Sequence, residues 1–359
     1  MATNEVYVPI VKAREAELLA LRRKPRSLQV TPYFELQNVG SPTVDPVTGL
    51  PKRTKSAVTD ASYFLDDVTR LWGEDFYLDV SRVAAHADRA TWWHLLAALS
   101  ALNPNAVVFP ALAESDSSGA WAAAAPIATR SGRAAMRVSL PHPNPSNIAA
   151  RLAVASAALT IPASQIDVVL DWGDQMEAGT ISLDTLVLST RAAMAGLGPD
   201  HGRVITAGTP NSDAFVQVGY WHPVRREWWL WLRMQASGAD VVYGDYVLYP
   251  PSDPVPASPR YGHLRYSSGD ELHVHRTAIP SAGGGLKAAF TQCCVDVTAS
   301  PYFLGSSYSS ADAEMDEIAR GISEQGAAGA WRRLAAIHHF AVVADQLASP
   351  PSPPPAGTP

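Results

Sequence analysis

Residues 134–172 read AAMRVSLPHPNPSNIAARLAVASAALTIPASQIDVVLDW and carry the clearest fold signal in the chain. The stretch begins with one short apolar run, residues 134–140, and ends with another, residues 166–172. Runs of this kind are typical of strands buried on both faces. Between them, residues 147–159 have helical composition and the length of a crossover helix. The stretch therefore predicts a strand–helix–strand unit of a parallel sheet.

The same alternation continues in both directions along the chain. Eight apolar runs are candidate strands: residues 28–36 (LQVTPYFEL), 76–80 (FYLDV), 106–112 (AVVFPAL), 134–140, 166–172, 203–206 (RVIT), 241–247 (VVYGDYV) and 263–266 (HLRY). Segments of helical composition lie between most of them, for example residues 82–102, 147–159, 182–197 and 223–236.

Eight such units are the number that closes a barrel with its helices outside. The competing open, doubly wound sheet normally has a Gly-rich first turn, and no G-x-G-x-x-G follows the first strand here. The sequence thus predicts an α/β fold, a (β/α)8 TIM-type barrel with an N-terminal extended segment and a C-terminal helix.

Composition fits a single domain with a large core. Of 359 residues, 47% are hydrophobic, and the formal net charge is −6. That charge argues against bulk nucleic-acid binding, although a local basic patch stays open. The neighbouring cysteines Cys293 and Cys294 do not form a disulfide framework. With neither a signal pattern nor a membrane-spanning run, we expect a cytoplasmic protein.

Three segments interrupt the alternation. Residues 37–62 are polar, with basic side chains at Lys52, Arg53 and Lys55, and residues 250–259 are dominated by proline. We expect both to lie over the end of the barrel where the strands finish. Residues 349–359 (SPPSPPPAGTP) predict a disordered, proline-rich tail, which leaves residues 1–348 as one barrel domain.

Barrel enzymes carry their active sites at the carboxyl ends of the strands. There the predicted strands place four candidate catalytic acids: Glu35, Asp79, Asp171 and Asp245. Candidate ligand-binding residues are Lys12, Arg137, Arg265, Tyr266 and His338. Lys12 could reach the same mouth or lie on the opposite rim.

Four inward-facing carboxylates would repel one another unless basic residues or metal ions compensated them. Arg137 and Arg265 are the natural compensators. Three interpretations stay open: a polar barrel layer of ion pairs, an anion site with a divalent metal ion, and general acid–base chemistry by a Glu35–Asp171 pair.

Other polar and aromatic groups favour structural roles. The tryptophans of EWWLWLRM (residues 227–234) predict a helix packed on the barrel. His273 and His275 share one face of a strand, which we expect to be solvated, since spacing supplies no third metal ligand. His338 and His339 point about 100° apart on a helix, so at most one faces a site.

Several local patterns together resemble one known family. They are YVPIVKAREAELLAL (from Tyr7), PYFEL, YLDV, VVLDWG, VVYGDYVLYPP, HLRYSSGDELHVHR and WRRLAAIHHFAVVADQL, in that order as far as Leu347. The ordered set is similar to the beta-protein family, named from a T-even bacteriophage. One departure is Ala311 before Asp312, where the family usually has glycine.

The resemblance implies the barrel fold and a setting in phage, prophage or defence systems. The family-like polar positions are Lys12, Glu35, Asp79, Asp171, Gly244, Asp245, Arg265, Tyr266, Trp331, His338 and His339. One hypothesis is a barrel that binds a partner, for example a protein from a phage or defence system, in phage–host conflict. The other is a hydrolase or phosphodiesterase-like enzyme with an acidic, metal-assisted site. The sequence leaves open the choice between them, any cofactor and the oligomeric state.

Overall fold

The structure is a computed structural model. It describes residues 6–12, 14–36, 67–68, 70–81, 89–102, 107–140, 147–176, 181–210, 217–247, 261–281, 284–324, 326 and 328–358. The predicted position of residues 37–62 and 250–259 over the barrel end lies outside these described residues.

The described strands are numbered in chain order. They are β1 (Val6–Lys12), β2 (Gln29–Val30), β3 (Tyr33–Glu35), β4 (Phe76–Asp79), β5 (Val108–Ala113), β6 (Ala134–Ser139), β7 (Ile166–Asp171), β8 (Val204–Ala207), β9 (Gly219–Trp221), β10 (Val242–Asp245), β11 (Tyr261–Ser268) and β12 (Glu271–Ala278).

The described helices alternate with them. They are α1 (Glu15–Arg22), α2 (Arg89–Leu102), α3 (Ser118–Ser131), α4 (Ile148–Leu159), α5 (Leu183–Ala195), α6 (Arg226–Ala236), α7 (Gly285–Thr298), α8 (Ser310–Ala319) and α9 (Ala328–Ala348). Within the described residues, no helix is both long and apolar enough to cross a membrane.

Eight parallel strands close into a ring, which confirms the predicted barrel. The order is β1–β3–β4–β5–β6–β7–β8–β10, and β10 returns to β1 through the pairs Val8↔Gly244 and Pro9↔Asp245. Gly244 permits this closure, because a Cβ there would lie 2.9 Å from the Val8 carbonyl oxygen.

Strand alternation sorts the side chains into two buried layers. Every second residue faces the barrel interior, which is filled by Val8, Ile10, Tyr33, Tyr77, Phe109, Ala111, Ala135, Val169, Ile205, Ala207 and Tyr246. The residues between them face the surrounding helices and form the larger core. The strands therefore carry apolar side chains on both faces, as the continuous apolar runs predicted.

The identity of one barrel strand differs from the prediction. The N-terminal segment is itself a barrel strand, β1, whereas residues 263–266 belong to β11 in a separate antiparallel sheet of order β11–β12–β9. The burial of β11 alternates along most of its length, as expected for a strand with one covered face, whereas β1 is buried almost throughout. The sequence identified this segment as extended but did not count it among the barrel strands, where a proline such as Pro9 is rare.

The aromatic helix α6 packs as predicted. Trp228 and Trp231 are buried and stack with ring centroids 4.9 Å apart, and both meet the edge of the Tyr243 ring. Cys293 and Cys294 are free and buried, as expected of core cysteines.

The proline-rich tail lies against the barrel helices, where sequence composition predicted disorder. Arg233 donates to the carbonyl oxygens of Pro354 and Pro355 at 3.4 and 3.1 Å. The Gly357 amide donates to Asp184 at 3.0 Å, and Arg233 also binds Asp184 at 2.9 Å. This Arg233–Asp184 pair supplies the hydrogen bonds that the composition did not reveal.

Candidate functional site

Three of the four predicted acids meet at the carboxyl-end mouth of the barrel. Glu35 ends β3, Asp79 ends β4 and Asp171 ends β7, and Arg137 reaches them from β6. Strand alternation turns all four side chains into the barrel. We call Glu35, Asp79, Asp171, Arg137 and Tyr246 the mouth cluster.

Arg137 is fully engaged by the other members of the mouth cluster. Its Nε and Nη2 donate to the same oxygen of Asp171 at 2.9 and 2.7 Å. Its Nη1 donates to Glu35 at 2.8 Å and to Asp79 at 3.1 Å, and Nη2 also donates to the Tyr246 hydroxyl. A guanidinium has five N–H groups, so each of them has a protein acceptor. In this arrangement Arg137 has no donor left for an anionic ligand.

Backbone and tyrosine donors hold two of the acids in place. The amide of Ser81 donates to Asp79 at 2.7 Å, and the amide of Gly173 donates to Asp171 at 2.8 Å. Each bond spans two residues, the spacing at which an aspartate orders its own turn. The Tyr33 hydroxyl donates to Asp79 at 3.0 Å. These bonds fix both carboxylates before any ligand arrives.

The mouth cluster is buried and carries excess negative charge. The side chains of Glu35, Asp79 and Asp171 are only 1, 3 and 5% exposed, and that of Arg137 is 12% exposed. Three carboxylates and one guanidinium sum formally to −2. Lys12 lies beside Glu35 in the β1–β3 register, which brings the formal sum over these described side chains to −1. Buried charge that is not balanced is costly, which marks the mouth as a place where a further positive charge would be stabilised.

The local electrostatics keep Arg137 charged. Burial by itself would lower the pKa of the Arg137 guanidinium, but the neighbouring Asp171, Tyr246 and Glu35 groups more than offset this and hold the pKa well above its ordinary value. Burial also raises the pKa of Tyr33 and Tyr246, so both phenols stay protonated and act as hydrogen-bond donors.

The predicted divalent metal has no ligand set in the described part of the chain. Among these residues, no group of three or more His, Cys, Asp or Glu side chains is arranged to hold a metal ion. The physical reason at the mouth is that the Arg137 guanidinium lies at the centre of the three acids, where a metal ion would have to bind.

Asp245, the fourth predicted acid, does not join the others. It lies on the opposite face of β10 from Tyr246 and points out of the barrel wall. There its two oxygens accept from Tyr7 at 2.5 Å, Tyr243 at 2.8 Å and His339 at 2.8 Å. The Val247 amide also donates to Asp245 at 2.8 Å. The expectation that Asp245 would share a site with the mouth acids is therefore not met.

From Asp245 a chain of hydrogen bonds crosses to α8. His339 contacts the Ser267 hydroxyl at 2.7 Å, and the Ser267 carbonyl contacts His338 at 2.7 Å. His338 contacts Asp312 at 2.9 Å, and Asp312 accepts from Tyr266 at 2.8 Å. We call the chain Asp245–His339–Ser267–His338–Asp312 the outer relay. All five of its residues are buried.

The two adjacent histidines have different hydrogen-bond partners. Both ring nitrogens of His338 have hydrogen-bond partners, the Ser267 carbonyl and the Asp312 carboxylate. His339 faces one carboxylate and one hydroxyl, and a neutral ring satisfies both. Burial lowers the pKa of His339, although the Asp245 charge opposes this.

Burial alone would raise the pKa of both relay carboxyls. His339 outweighs this at Asp245 and His338 does so at Asp312, so both pKa values lie below the ordinary one. Both aspartates are therefore ionised at neutral pH.

The remaining predicted positions lie outside the mouth. Arg265 and Tyr266 are both on β11 in the antiparallel sheet. The Tyr266 ring stacks on His338 with centroids 3.8 Å apart. The pair His273 and His275 does not form a solvated face: both are buried against Tyr302, and His273 stacks on it at 3.6 Å.

Sequence reasoning missed several members of both clusters. Tyr246 stands next to a predicted acid, and strand alternation could have assigned it to the interior. Asp312 carried only the signal of its family-like segment. Asp167, at the other end of β7, binds Tyr77 and Arg203 inside the barrel, where the Arg203 Nη2 lies 3.1 Å from the carboxylate. Nothing in the local sequence indicated this third network.

Comparisons with known proteins agree with the ordered patterns described above. The sequence model of the family described as Beta protein matches residues 7–345, nearly the whole chain. No curated protein matches the chain. A solved structure titled "PhdJ bound to substrate intermediate" is similar at 10% identity and a TM-score of 0.32, over 68% of this chain and 67% of that one. A likeness at that level supports no statement about function.

Proposed function

The chain belongs to the Beta protein family, and on that basis we propose that it works by binding, with a small ligand that carries a basic group held at the mouth of the barrel. The resemblance implies a setting of conflict between phage and host. In this proposal the chain acts there, in the cytoplasm, as a sensor or inhibitor that responds to such a ligand or to a protein partner that presents one.

The observation that carries the proposal is the charge imbalance of the mouth cluster. Glu35, Asp79 and Asp171 are almost completely buried around the Arg137 guanidinium, and with Lys12 beside Glu35 the described side chains still sum formally to −1. A purely structural ion-pair layer would gain stability from equal numbers of opposite charges. A protonated amine or guanidinium on a ligand would neutralise the excess and would form strong, charge-assisted hydrogen bonds.

A second feature supports a built site at this end of the barrel. Val247, two residues after Asp245, has a φ of 55°. This left-handed conformation is unfavourable for a β-branched residue and costs on the order of 1–3 kcal/mol. The Asp245 carboxylate holds the turn through the Val247 amide, and the turn fixes Tyr246 over the mouth.

The same geometry argues against the phosphodiesterase-like alternative. That alternative needs Arg137 to hold an anionic group, yet all five of its N–H groups are used by the protein. It also drew on a metal ion, and the described residues contain no cluster that could hold one. A phosphate would meet a formally negative mouth, which repels it.

A hydrolase that acts on an uncharged or cationic substrate is the second candidate. Glu35 and Asp171 both bind Arg137, so the two carboxylates lie at one mouth, as general acid–base catalysis requires. Turnover of a bound ligand, followed by mass spectrometry of the reaction mixture, separates this candidate from a pure binding role.

Thermal unfolding in the presence of small probes tests the binding proposal. Agmatine and cadaverine are the cationic probes, and glutarate and inorganic phosphate are the acidic ones. A ligand at 100 times its Kd stabilises a protein by about 2.7 kcal/mol. We expect the cationic probes to raise the melting temperature by several degrees and the acidic probes to leave it unchanged.

Two variants localise the effect. Glu35→Gln removes one mouth charge and should abolish the shift, while its stability without ligand stays within about 1 kcal/mol of wild type or rises, because the excess charge is relieved. Asp316→Asn removes one negative charge from an exposed helix pair and should keep the full shift. Equal shifts in all three proteins, or shifts from phosphate alone, contradict the proposal.

The partner part of the proposal needs its own experiment. Wild type and Glu35→Gln are expressed in phage-infected and uninfected cells, purified under identical conditions, and compared by mass spectrometry of what stays attached. The proposal expects a species that is held by wild type and lost from the variant. Identical sets from both proteins would remove the mouth as the docking point.

A further inference from the structure

A pocket at the other end of the barrel has the opposite charge. It lies where the end of α1 and the residues before β4 meet, at the amino-end rim. Its volume is about 300 Å³, and it is lined by Arg22, Lys24, Arg26, Arg70, Trp72 and Glu74, with two leucines. The four basic side chains and one acid sum formally to +3, on a chain whose net charge is −6.

The basic groups of this rim pocket come from two separate parts of the chain. Arg22 ends α1, Lys24 and Arg26 lie in the turn that follows, and Arg70 comes from the segment before β4. The dipole at the end of α1 favours the positive charge of Arg22. It does not account for Arg26 or Arg70, so the convergence needs another explanation.

Two of the four cations have partners among the described residues: Lys24 and Arg70. The Lys24 ammonium donates to the Leu28 carbonyl at 3.0 Å and lies 5.7 Å from the Trp72 ring. Arg70 pairs with Asp67 at 2.7 Å. Within the described residues, Arg22 and Arg26 are exposed and no carboxylate pairs with either of them. Their guanidinium groups are therefore available to a ligand.

We infer that the rim pocket binds a phosphate ester, either a free nucleotide or the phosphorylated end of a nucleic-acid strand. Guanidinium groups match phosphate oxygens in pairs, and several of them approaching from different elements suit a tetrahedral anion. The volume falls at the lower end of small-molecule sites, which leaves room beyond the phosphate itself. Trp72 is half-buried at the wall and offers a ring against which a base can stack.

This site is independent of the mouth. The strands of the barrel separate the two, so the loss of one function leaves the other testable. The two ends of the barrel therefore have opposite formal charge, and each would take a ligand of the opposite sign.

Isothermal titration with matched probes tests the inference. Adenosine 5′-monophosphate is compared with adenosine, and a 5′-phosphorylated ten-nucleotide thymidine strand with its unphosphorylated form, at low and high salt. We expect each phosphorylated probe that binds to do so at least tenfold more tightly than its unphosphorylated counterpart, and to weaken as salt rises. Binding of the monophosphate identifies a nucleotide source, and binding of the strand alone identifies a strand end.

Charge-matched variants localise the binding. The double variant Arg22→Gln/Arg26→Gln should weaken it at least tenfold. Arg151→Gln/Arg191→Gln removes two exposed arginines elsewhere and should leave it unchanged. Glu74→Gln, which removes the one acid of the pocket, should tighten it two- to threefold.

Three outcomes would overturn the inference. They are equal weakening in the two double variants, equal affinity for adenosine and its monophosphate, and equal affinity for hexaglutamate and the monophosphate. The first would mean a general charge effect, the second a base pocket without a phosphate site, and the third a site for acidic peptides.

Discussion

The mouth cluster and the outer relay each include one of two neighbouring residues at the end of β10, yet their surroundings differ. Tyr246 belongs to the first and Asp245 to the second, because successive side chains of a strand point to opposite faces. Around Arg137, three carboxylates share one cation, and the cluster keeps a formal excess of negative charge at the barrel opening. Around His338 and His339, each carboxylate oxygen of Asp245 and Asp312 has a hydrogen-bond partner in a buried interior.

The difference helps to distinguish a cluster built to bind a ligand from one that holds parts of the fold together. The outer relay joins the barrel wall to α8 and α9 and to the antiparallel sheet, so its contribution is to hold layers together. The mouth cluster joins strands that the barrel already holds together. Its buried charge therefore costs stability without connecting further layers of the fold. Neutralising one acid should therefore lower the free energy of unfolding in the outer relay and should not lower it in the mouth cluster.

The largest effect is expected from Arg137→Met. This change leaves three buried carboxylates without their cation, and removing one partner of a buried pair typically costs about 3–5 kcal/mol. Denaturant unfolding measures it as a fall in the midpoint. Arg233→Met, which removes a guanidinium from the exposed tail contact, is the control. A loss below about 1 kcal/mol for Arg137→Met would mean that the acids take up protons instead.

The next effect is expected from Asp245→Asn in the outer relay. The amide keeps an acceptor for Tyr7 but turns a donor toward His339, and a buried group without its partner costs about 1–3 kcal/mol. The comparison with Glu35→Gln in the same unfolding assay is the sharp one. A relay acid should lose stability on neutralisation, and a mouth acid should not. Equal losses would make both clusters structural.

A smaller effect separates the clusters by pH. The folded pKa of His339 is lowered by burial, so below pH 6.5 the unfolded chain takes up a proton that the folded chain does not. For one such site, stability falls by about 1.4 kcal/mol per pH unit from about pH 6.5 down to the lowered folded pKa. His339→Gln should fall less steeply than wild type over this window, as measured by unfolding at pH 7, 6 and 5.

The same unfolding measurement, continued to lower pH, tests the contribution of Asp245 to stability. The folded pKa of Asp245 is lowered, so the stability it contributes is fully present above about pH 4 and is lost as pH falls through the folded value. The His339 window begins near pH 6.5 and the Asp245 window near pH 4, so the loss due to His339 begins first. Parallel curves for wild type and His339→Gln between pH 7 and 5 would show that His339 is protonated in the folded chain as well.

The smallest effect sets the scale for the other three. Deletion of residues 349–359 removes the contacts of the tail with Arg233 and Asp184. Because exposed hydrogen bonds and ion pairs contribute little, the barrel should fold unchanged with a loss below about 1 kcal/mol. Arg233→Gln in the full-length chain should give a similar loss. No change after deletion would mean that the tail is a free spacer.

Much of the barrel could be predicted from sequence because parallel strands buried on both faces consist of continuous apolar runs. Seven of the eight predicted strands are barrel strands, and the helices α4, α5 and α6 fall within the predicted segments. The eighth, HLRY, lies in β11 and pairs with β12 in the antiparallel sheet, whereas the remaining barrel strand is β1, which the sequence identified only as an extended segment. The local pattern predicts that a segment is extended and does not say which sheet it enters.

The candidate site was predictable only in part. The position of an acid at a strand end follows from the pattern, and Glu35, Asp79 and Asp171 were found in this way. Whether two such acids meet depends on which face of the strand each occupies at closure, and a shift of one residue reverses it. Asp245 lies on the outer face of its strand, away from the mouth acids.

By itself, the sequence determined the alternation of strands and helices, the acids at the strand ends and the family, because these depend on residues close together in the chain. Only the tertiary structure decided that every N–H donor of Arg137 is used inside the protein, that Asp245 binds His339 almost a hundred residues away, and that Arg22 and Arg26 lie near a segment some fifty residues further on. Such pairings are fixed by strand register and ring closure, which bring together side chains that no local pattern links.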